Sequence, residues 1–226
     1  MKSTGNDIVA LNVINRLRTN QYSFYSKILS VSEEALYSRP GFAQMPFEEF
    51  VWLLWSVKES VYKYQKRIVP GLVFSPAKII IQRIDPPYRQ ALKSFGGIQW
   101  ESNKNESSEE LFKGVIICGS YIFYSRSKIH DELISTVVSN DKHFENTRWG
   151  IKSIEDTAYK NQSKAVRAFV LEKLNSLLVG GYENLSISKN RQGCPVVLKG
   201  AMEMNIPVSL AHHDHFIAYS FLLRHP

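Results

Sequence analysis

A run of large apolar residues between positions 44 and 67 constrains the fold more than any other feature of this 226-residue chain. Their spacing alternates between three and four residues, the period of an α-helix that buries one face. This apolar stripe consists of Phe47, Phe50, Leu54, Val57 and Val61. Pro70 and Gly71 follow it, and both residue types end helices. We therefore predict a long helix over 44–67 whose stripe packs against a core.

The opposite side of this helix is not simply polar. At about 100° per residue, Trp52, Trp55, Glu59 and Lys63 fall opposite the apolar stripe. Two tryptophans beside a carboxylate and an amine indicate that this face is also covered, by another half of the chain or by a ligand. On the residues alone, an exposed Glu59–Lys63 ion pair at i,i+4 spacing remains the simpler interpretation.

Short runs of apolar and β-branched residues predict strands on both sides of the helix. The first run is 7–13, and the later ones are 77–84, 113–124, 132–138, 184–189, 195–199, 206–211 and 215–223. A second helix is predicted over 153–178, ended by Gly180 and Gly181. The polar stretch 101–110 is typical of an exposed hairpin loop.

Two short segments, 130–134 (HDELI) and 213–217 (HDHFI), resemble each other, and each leads into a strand. If this weak repeat is genuine, the chain has a first half, 1–145, and a second half, 146–226. Each half would be a helix plus a small antiparallel sheet, and the halves would form one compact α+β unit with a cleft between them. Chance similarity over five residues is the competing explanation of this pseudo-dimer.

Composition narrows the class of partner. The net charge of +7 and the pI near 9.3 favour polyanions, which include nucleic acids, membrane surfaces, phosphorylated cofactors and acidic proteins. Because the basic residues form no run and no RNA-binding aromatic motif is present, we expect no nucleic-acid partner. We also expect no membrane segment, since no apolar run approaches the ~20 residues of a bilayer span. Cys118 and Cys194 make no disulfide framework, and we expect a cytoplasmic protein without a secretory signal.

The helix carries a motif that resembles one of the 4′-phosphopantetheinyl transferase superfamily. Residues 55–63, WSVKESVYK, are similar to W-x-x-K-E-[AS]-x-x-K, complete at Trp55, Lys58, Glu59, Ser60 and Lys63. A second segment, 5–8, resembles the G-[IV]-D-[IV] motif of that superfamily. It retains Gly5 and Asp7, and Asn6 replaces an aliphatic residue.

A third resemblance lies near the end of the chain. Segments 193–195 and 208–212 are similar to the pair G-[KR]-P and [ILV]-S-[LI]-S-H. The matching residues are Gly193, Pro195, Ser209 and His212, which the resemblance assigns to coenzyme A binding. Cys194 replaces a basic residue that would help to hold the 3′-phosphate, for which Lys189, Arg191 or Lys199 could substitute. Ala211 replaces the serine before the histidine.

The order of the motifs is that of the short holo-acyl carrier protein synthases, which form trimers with sites between subunits. The two-half members, such as the surfactin-synthetase-activating type, place the serine–histidine segment first. This chain combines the length of two halves with the order of the short enzymes. We therefore predict a permuted pseudo-dimer that is a monomer, with the site between its own halves.

The resemblance implies an enzyme that transfers the 4′-phosphopantetheine of coenzyme A to a serine of an acidic acyl or peptidyl carrier protein. It implies Mg²⁺ held by Asp7 and Glu59, and such hard oxygen ligands suit this ion. Lys63 would grip the pyrophosphate, and Lys58, which points about 100° away along the helix, is the weaker candidate. Glu59 could also accept the serine proton, directly or through water. Where many two-half members have a second acid, this chain has Val9.

Two alternatives remain open at this point. Asn6, Cys194 and Ala211 depart from the family pattern, so the chain could be an inactive relative that binds coenzyme A or a carrier protein. The cluster 212–215, His-His-Asp-His, could bind zinc or copper through His213 and His215 on one strand face. The same four residues could instead form a turn. Arg167 resembles an arginine common in the family, and a structural ion pair is an equal explanation of it.

Overall fold

The computed structural model describes residues 3–88, 99–101, 110–130, 132–178 and 184–223. Its helices are α1 (Arg16–Thr19), α2 (Tyr22–Tyr25), α3 (Val31–Tyr37), α4 (Phe47–Lys66) and α5 (Tyr159–Leu177). Its strands are β1 (Gly5–Ala10), β2 (Ile80–Asp85), β3 (Gln99–Glu101), β4 (Phe112–Cys118), β5 (Tyr121–His130), β6 (Leu133–Ser139), β7 (Thr147–Ser153), β8 (Leu185–Lys189), β9 (Pro195–Lys199), β10 (Met202–Glu203), β11 (Val208–His213) and β12 (Phe216–Leu222).

The strands form three sheets in which each described pairing is antiparallel. The first sheet has the order β1-β6-β5-β4-β2, the second β11-β12-β7-β3, and the third β10-β9-β8. Helices and antiparallel sheets are thus mixed, which confirms the α+β class. No helix among the described residues combines the length and the hydropathy that a bilayer crossing requires.

Helix α4 lies across one face of the first sheet. Its stripe is fully buried at Phe50, Leu54, Val57 and Val61, where it packs with Val9 and other side chains of that face. Each such side chain stabilises the fold by about 1.5–3 kcal/mol. The helix begins after Pro46 and carries acids in its first turn and lysines in its last, as the helix dipole favours. The predicted long helix is confirmed, over 47–66 instead of 44–67.

The other face of the first sheet packs against the second sheet. Ile8 and Val137 from the first sheet meet Trp149, Ile151 and Phe216 from the second. Helix α5 covers the far side of the second sheet, where Phe169 packs on Tyr219 with ring centroids 4.8 Å apart. The described layers are therefore helix, sheet, sheet and helix.

Several of the predicted boundaries are wrong. The single run 113–124 is the hairpin of β4 and β5, which turns at Gly119, where φ is +59°. Strand β1 spans 5–10 instead of 7–13, and α5 begins at 159 because 147–153 form β7. Most of the predicted loop 101–110 and the glycines at 180–181 lie outside the described residues.

The order strand, helix, strands, hairpin occurs twice. The first series begins with β1, continues to α4 and ends with the β5–β6 hairpin. The second series begins with β7, continues to α5 and ends with the β11–β12 hairpin. His130 and His213 occupy matching places, since each ends a strand and pairs with the first residue of the next. The division at 145/146 falls between β6 and β7 and remains a prediction.

Gly5 lets β1 approach the backbone of α4. A Cβ placed there would lie 2.0 Å from the Ser60 carbonyl oxygen and 2.8 Å from the Tyr64 nitrogen. These are backbone atoms, so no rotamer change can relieve the clash. The glycine of the first motif is thus explained by its close contact with the backbone of the second.

We expect Gly5→Ala to lower the free energy of unfolding by about 1–3 kcal/mol, because overpacking forces α4 away from β1. Chemical denaturation measures this change. Gly119→Asn is the control, since no described atom lies within 4 Å of its Cβ position and asparagine tolerates positive φ. Equal stability of Gly5→Ala and the wild type would contradict the close approach.

Candidate functional site

The second face of α4 is covered by its own half of the chain. The Trp52 Nε1 donates to Thr19 Oγ1 at 3.1 Å, and its ring lies 6.1 Å from that of Phe24. The Trp55 ring contacts Phe74, which follows the helix, at 5.2 Å. These aromatic side chains form a wall along α4, which we call the tryptophan wall (Trp52, Trp55, Phe24 and Phe74). It lies directly beside Glu59.

Lys63 joins the two predicted metal ligands. Its Nζ lies 2.8 Å from Asp7 Oδ1 and 3.4 Å from Glu59 Oε1. Asp7 comes from the middle of β1 and Glu59 from the fourth turn of α4, so the Gly5–Ser60 contact determines their separation. The structure therefore brings Asp7, Glu59 and Lys63 into one group, which we call the carboxylate–lysine triad.

The charges of the triad shift one another. Burial raises the pKa of Glu59, and the negative charge of Asp7 raises it further, against the opposing effect of Lys63. Burial lowers the pKa of Lys63, but the two carboxylates outweigh it, so its net pKa is raised. The amine thus stays protonated at neutral pH, while Glu59 is a stronger base than an ordinary glutamate.

A cationic pocket of about 240 Å³ adjoins the triad. Helices α4 and α5 and the strands β9 and β11 supply its walls. The lining residues are Tyr62, Lys63, Lys66, Arg67, Tyr159, Ser163, Val166, Arg167, Lys189, Gly193, Cys194, Pro195, Val208, Ser209, Leu210 and His212. Among these described residues none is acidic, so the pocket favours a polyanion.

Five predicted site residues therefore meet at this pocket: Lys63, Gly193, Pro195, Ser209 and His212. They come from opposite ends of the chain, and the pocket lies where the two predicted halves adjoin. Asp7 and Glu59 adjoin the pocket through their ion pairs with Lys63, which lines it.

Lys58 is the exception, and its predicted contact with the cofactor is not supported. Its side chain is fully buried on the side of α4 away from the pocket, 2.8 Å from Glu33 Oε2. The helical rotation of about 100° that separates it from Glu59 directs its amine into the first half.

His212 faces the pocket and contacts the ring of Tyr159 at 5.0 Å. Burial lowers its pKa, and the positive charge of Lys63 lowers it further. Its imidazole is therefore neutral at pH 7, and it can donate a hydrogen bond without adding a charge.

Two side chains of β11 join it to β1. The Asn6 N–H donates to Ser209 Oγ at 3.1 Å, and the Ala10 N–H donates to His213 Nδ1 at 3.1 Å. Because β1 is the last described strand of its sheet, these side chains satisfy N–H groups that a further strand would otherwise use. Ser209 is thus an inter-sheet contact as well as a pocket residue.

The His-His-Asp-His cluster forms the tight end of the β11–β12 hairpin. Asp214 accepts from Asn12 Nδ2 at 3.1 Å and has φ of +52°, while His215 Nδ1 lies 3.2 Å from the Ile154 carbonyl oxygen. Within the described residues, no three histidine, cysteine or carboxylate groups come together as a metal site. The turn interpretation therefore accounts for the cluster, and the zinc or copper interpretation does not.

Several pocket residues were not predicted as site residues. Arg67 lines the pocket and donates to the carbonyl oxygens of Pro195, at 2.7 Å, and Val208, which ties α4 to β9 and β11. Lys66 lies one turn beyond Lys63 on the same helix face, so helical spacing could have identified it. Nothing in the local sequence marks Arg67, whose partners lie far along the chain.

Cys194 is 5% exposed in the turn after β8, and Lys189, at the end of that strand, lines the pocket. Of the three residues considered as substitutes for a basic residue at 194, the pocket contains Lys189. Arg167 also lines it and donates to Ser163 Oγ at 2.7 Å, and no ion pair joins it to a described carboxylate.

Comparison with known families agrees with this site. Residues 3–118, just over half of the chain, match the profile of the 4′-phosphopantetheinyl transferase superfamily. The chain therefore belongs to the 4′-phosphopantetheinyl transferase superfamily. The matched region contains Asp7, Glu59 and Lys63. Searches of curated proteins and of solved structures found no match.

We expect Glu59→Gln to raise the unfolding temperature at pH 7. A carboxylate whose folded pKa is raised destabilises the fold once it ionises, and glutamine imitates the protonated form. The difference in unfolding temperature between the two proteins should disappear below about pH 4.3, the pKa of a glutamate in the unfolded chain. It should grow as the pH rises from there through the higher pKa that Glu59 has in the folded protein. Thermal unfolding across this range measures it, with the exposed Glu155→Gln as control. A lower unfolding temperature of Glu59→Gln at pH 7 would contradict the assignment.

Proposed function

We propose that this protein transfers 4′-phosphopantetheine from coenzyme A to a serine of an apo acyl or peptidyl carrier protein, in a Mg²⁺-dependent reaction. The observation that carries the proposal is the cationic pocket that adjoins the carboxylate–lysine triad. Breaking a pyrophosphate requires stabilisation of negative charge and delivery of a hydroxyl in line. The cationic pocket would stabilise the negative charge. The triad would contribute to that stabilisation and would also supply a base for the hydroxyl.

The residues fit a magnesium ion. Asp7 and Glu59 both contact the single amine of Lys63, so two hard oxygen donors lie close enough together to share one cation. Mg²⁺ commonly uses one or two carboxylates together with phosphate oxygens and water. Val9, where a further acid would lie, is buried in the core and gives no ligand. Bound there, the ion would neutralise charge on the pyrophosphate.

The protein's own groups have distinct roles in this proposal. Lys63 binds the pyrophosphate, and Lys66, Arg167 and Lys189 attract the remaining phosphate charge. His212 donates a hydrogen bond to a phosphate oxygen. Glu59 accepts the proton of the attacking serine through a water. The bond between the pantetheine phosphate and the ADP portion breaks, and 3′,5′-ADP leaves.

The same contacts suggest how the chain is organised. One chain supplies both the triad and the pocket, which supports a monomer built from halves 1–145 and 146–226. The net charge of +7 favours docking of an acidic carrier protein.

A binding-only role is the second candidate. It is favoured by Asn6, which is 1% exposed and whose amide atoms have no hydrogen-bond partner among the described residues. Such an unpaired group destabilises the strand that carries Asp7. Coenzyme A binding without transfer to any carrier would support this role.

We expect an apo acyl carrier protein incubated with this protein, coenzyme A and Mg²⁺ to gain about 340 Da, the mass of the transferred group. Mass spectrometry measures the gain, which EDTA should abolish. Asp7→Asn and Glu59→Gln should reduce the rate by about 100-fold or more, since each removes a group that acts on the reacting phosphate. Glu155→Gln, which lies outside the pocket, is the control. No gain with several carriers would refute the transferase proposal.

We expect Lys189→Met to weaken coenzyme A binding by about tenfold, because a charge-assisted hydrogen bond to the 3′-phosphate is lost. Binding of 3′-dephospho-coenzyme A should change less than about twofold by the same reasoning. Calorimetry with both ligands separates these effects. Lys164→Met, on the exposed side of α5, is the matched control. Equal weakening of both ligands would place Lys189 elsewhere in the pocket.

A further inference from the structure

The ammonium group of Lys58 is saturated by the protein itself. It carries three N–H bonds, and three oxygens accept them: Ile28 O at 2.7 Å, Glu33 Oε2 at 2.8 Å and Pro76 O at 3.1 Å. The side chain is 0% exposed. No donor is left for a phosphate, and a ligand in the cationic pocket cannot reach the amine without displacing these contacts.

Glu33 connects this lysine to three segments. Its Oε2 also accepts from the Ser30 N–H at 2.8 Å, which completes the capping box at the start of α3. Its Oε1 accepts from the Ile81 N–H in β2 at 2.8 Å. The Lys58–Glu33 pair therefore ties α4 to α3, to the first sheet and to the loops around 28 and 76.

The segments held by Lys58 carry two of the four residues of the tryptophan wall. Phe24 precedes Ile28 by four residues, and Phe74 precedes Pro76 by two. These two rings pack against Trp52 and Trp55, and Trp55 lies one helical turn before Glu59 on the same face of α4, where its side chain acts on that carboxylate. A chain of contacts thus leads from the buried ion pair to the carboxylate of the triad.

We propose that Lys58 is a positioning residue: it fixes Glu59 through the tryptophan wall and binds no phosphate. This inference rests on the proposed function for the step that Glu59 serves. The buried pair itself does not depend on that function.

Four proteins test the proposal: wild type, Lys58→Met, Glu33→Gln and the double variant. Lys58→Met leaves a buried carboxylate without its partner, so the unfolding temperature and kcat should both fall, kcat by about tenfold or more. The dissociation constant for coenzyme A should change less than about threefold, because no phosphate contact is lost. The double variant removes the unpaired charge and should recover most of the stability and of kcat. Lys66→Met, which lines the pocket, is the control that should weaken coenzyme A binding.

Two outcomes would overturn the proposal. If Lys58 binds phosphate, coenzyme A affinity falls in Lys58→Met and stays low in the double variant. If Lys58 is structural only, stability falls while kcat, measured below the unfolding transition, stays unchanged.

The wild type alone decides the proposed function, since absent transfer would refute it directly. If the wild type shows no transfer, two other measurements test the role of Lys58: near-ultraviolet circular dichroism of the tryptophan wall and binding of pyrophosphate. A perturbed spectrum in Lys58→Met that the double variant restores, with unchanged pyrophosphate binding, supports the positioning role. An unperturbed spectrum or weakened pyrophosphate binding overturns it.

Discussion

The contact between Gly5 and Ser60 determines the geometry of the site. Because no side chain separates the two backbones, β1 and α4 lie close enough for Asp7 and Glu59 to share one amine. A larger residue at position 5 would widen this gap. The same packing shifts the pKa values of the site, since burial raises the pKa of Glu59 and the two carboxylates raise that of Lys63.

Helix α4 directs three cations to three places. Lys58 points into the first half and is neutralised there by Glu33, Lys63 points to the carboxylates, and Arg67 reaches carbonyl oxygens of β9 and β11. Their positions around the helix differ, so similar residues in one short segment have different environments. One helix thereby packs on the first sheet, is tied to β9 and β11 by the residue that follows it, and also supplies positive charge to the pocket.

The sequence indicates the parts of this structure that depend on local spacing. The stripe of α4 and the placement of Glu59 and Lys63 follow from helical periodicity. The roles of Lys58 and Arg67 could not be predicted, because their partners lie 18 to 141 residues away and no periodicity connects them. Strand β7 was missed since it is paired on both sides and its burial does not alternate. The β4–β5 turn was missed because apolar residues flank Gly119 closely.

The side chains of Ser209 and His213 act on β1 in place of a neighbouring strand. Residue 209 is about two hundred positions after β1, so the edge of β1 stays open during synthesis until most of the chain has emerged. An open edge with hydrogen-bonding groups can pair with another chain. The late arrival of β11 therefore completes the cationic pocket and also ends a period in which the nascent protein is prone to associate with copies of itself.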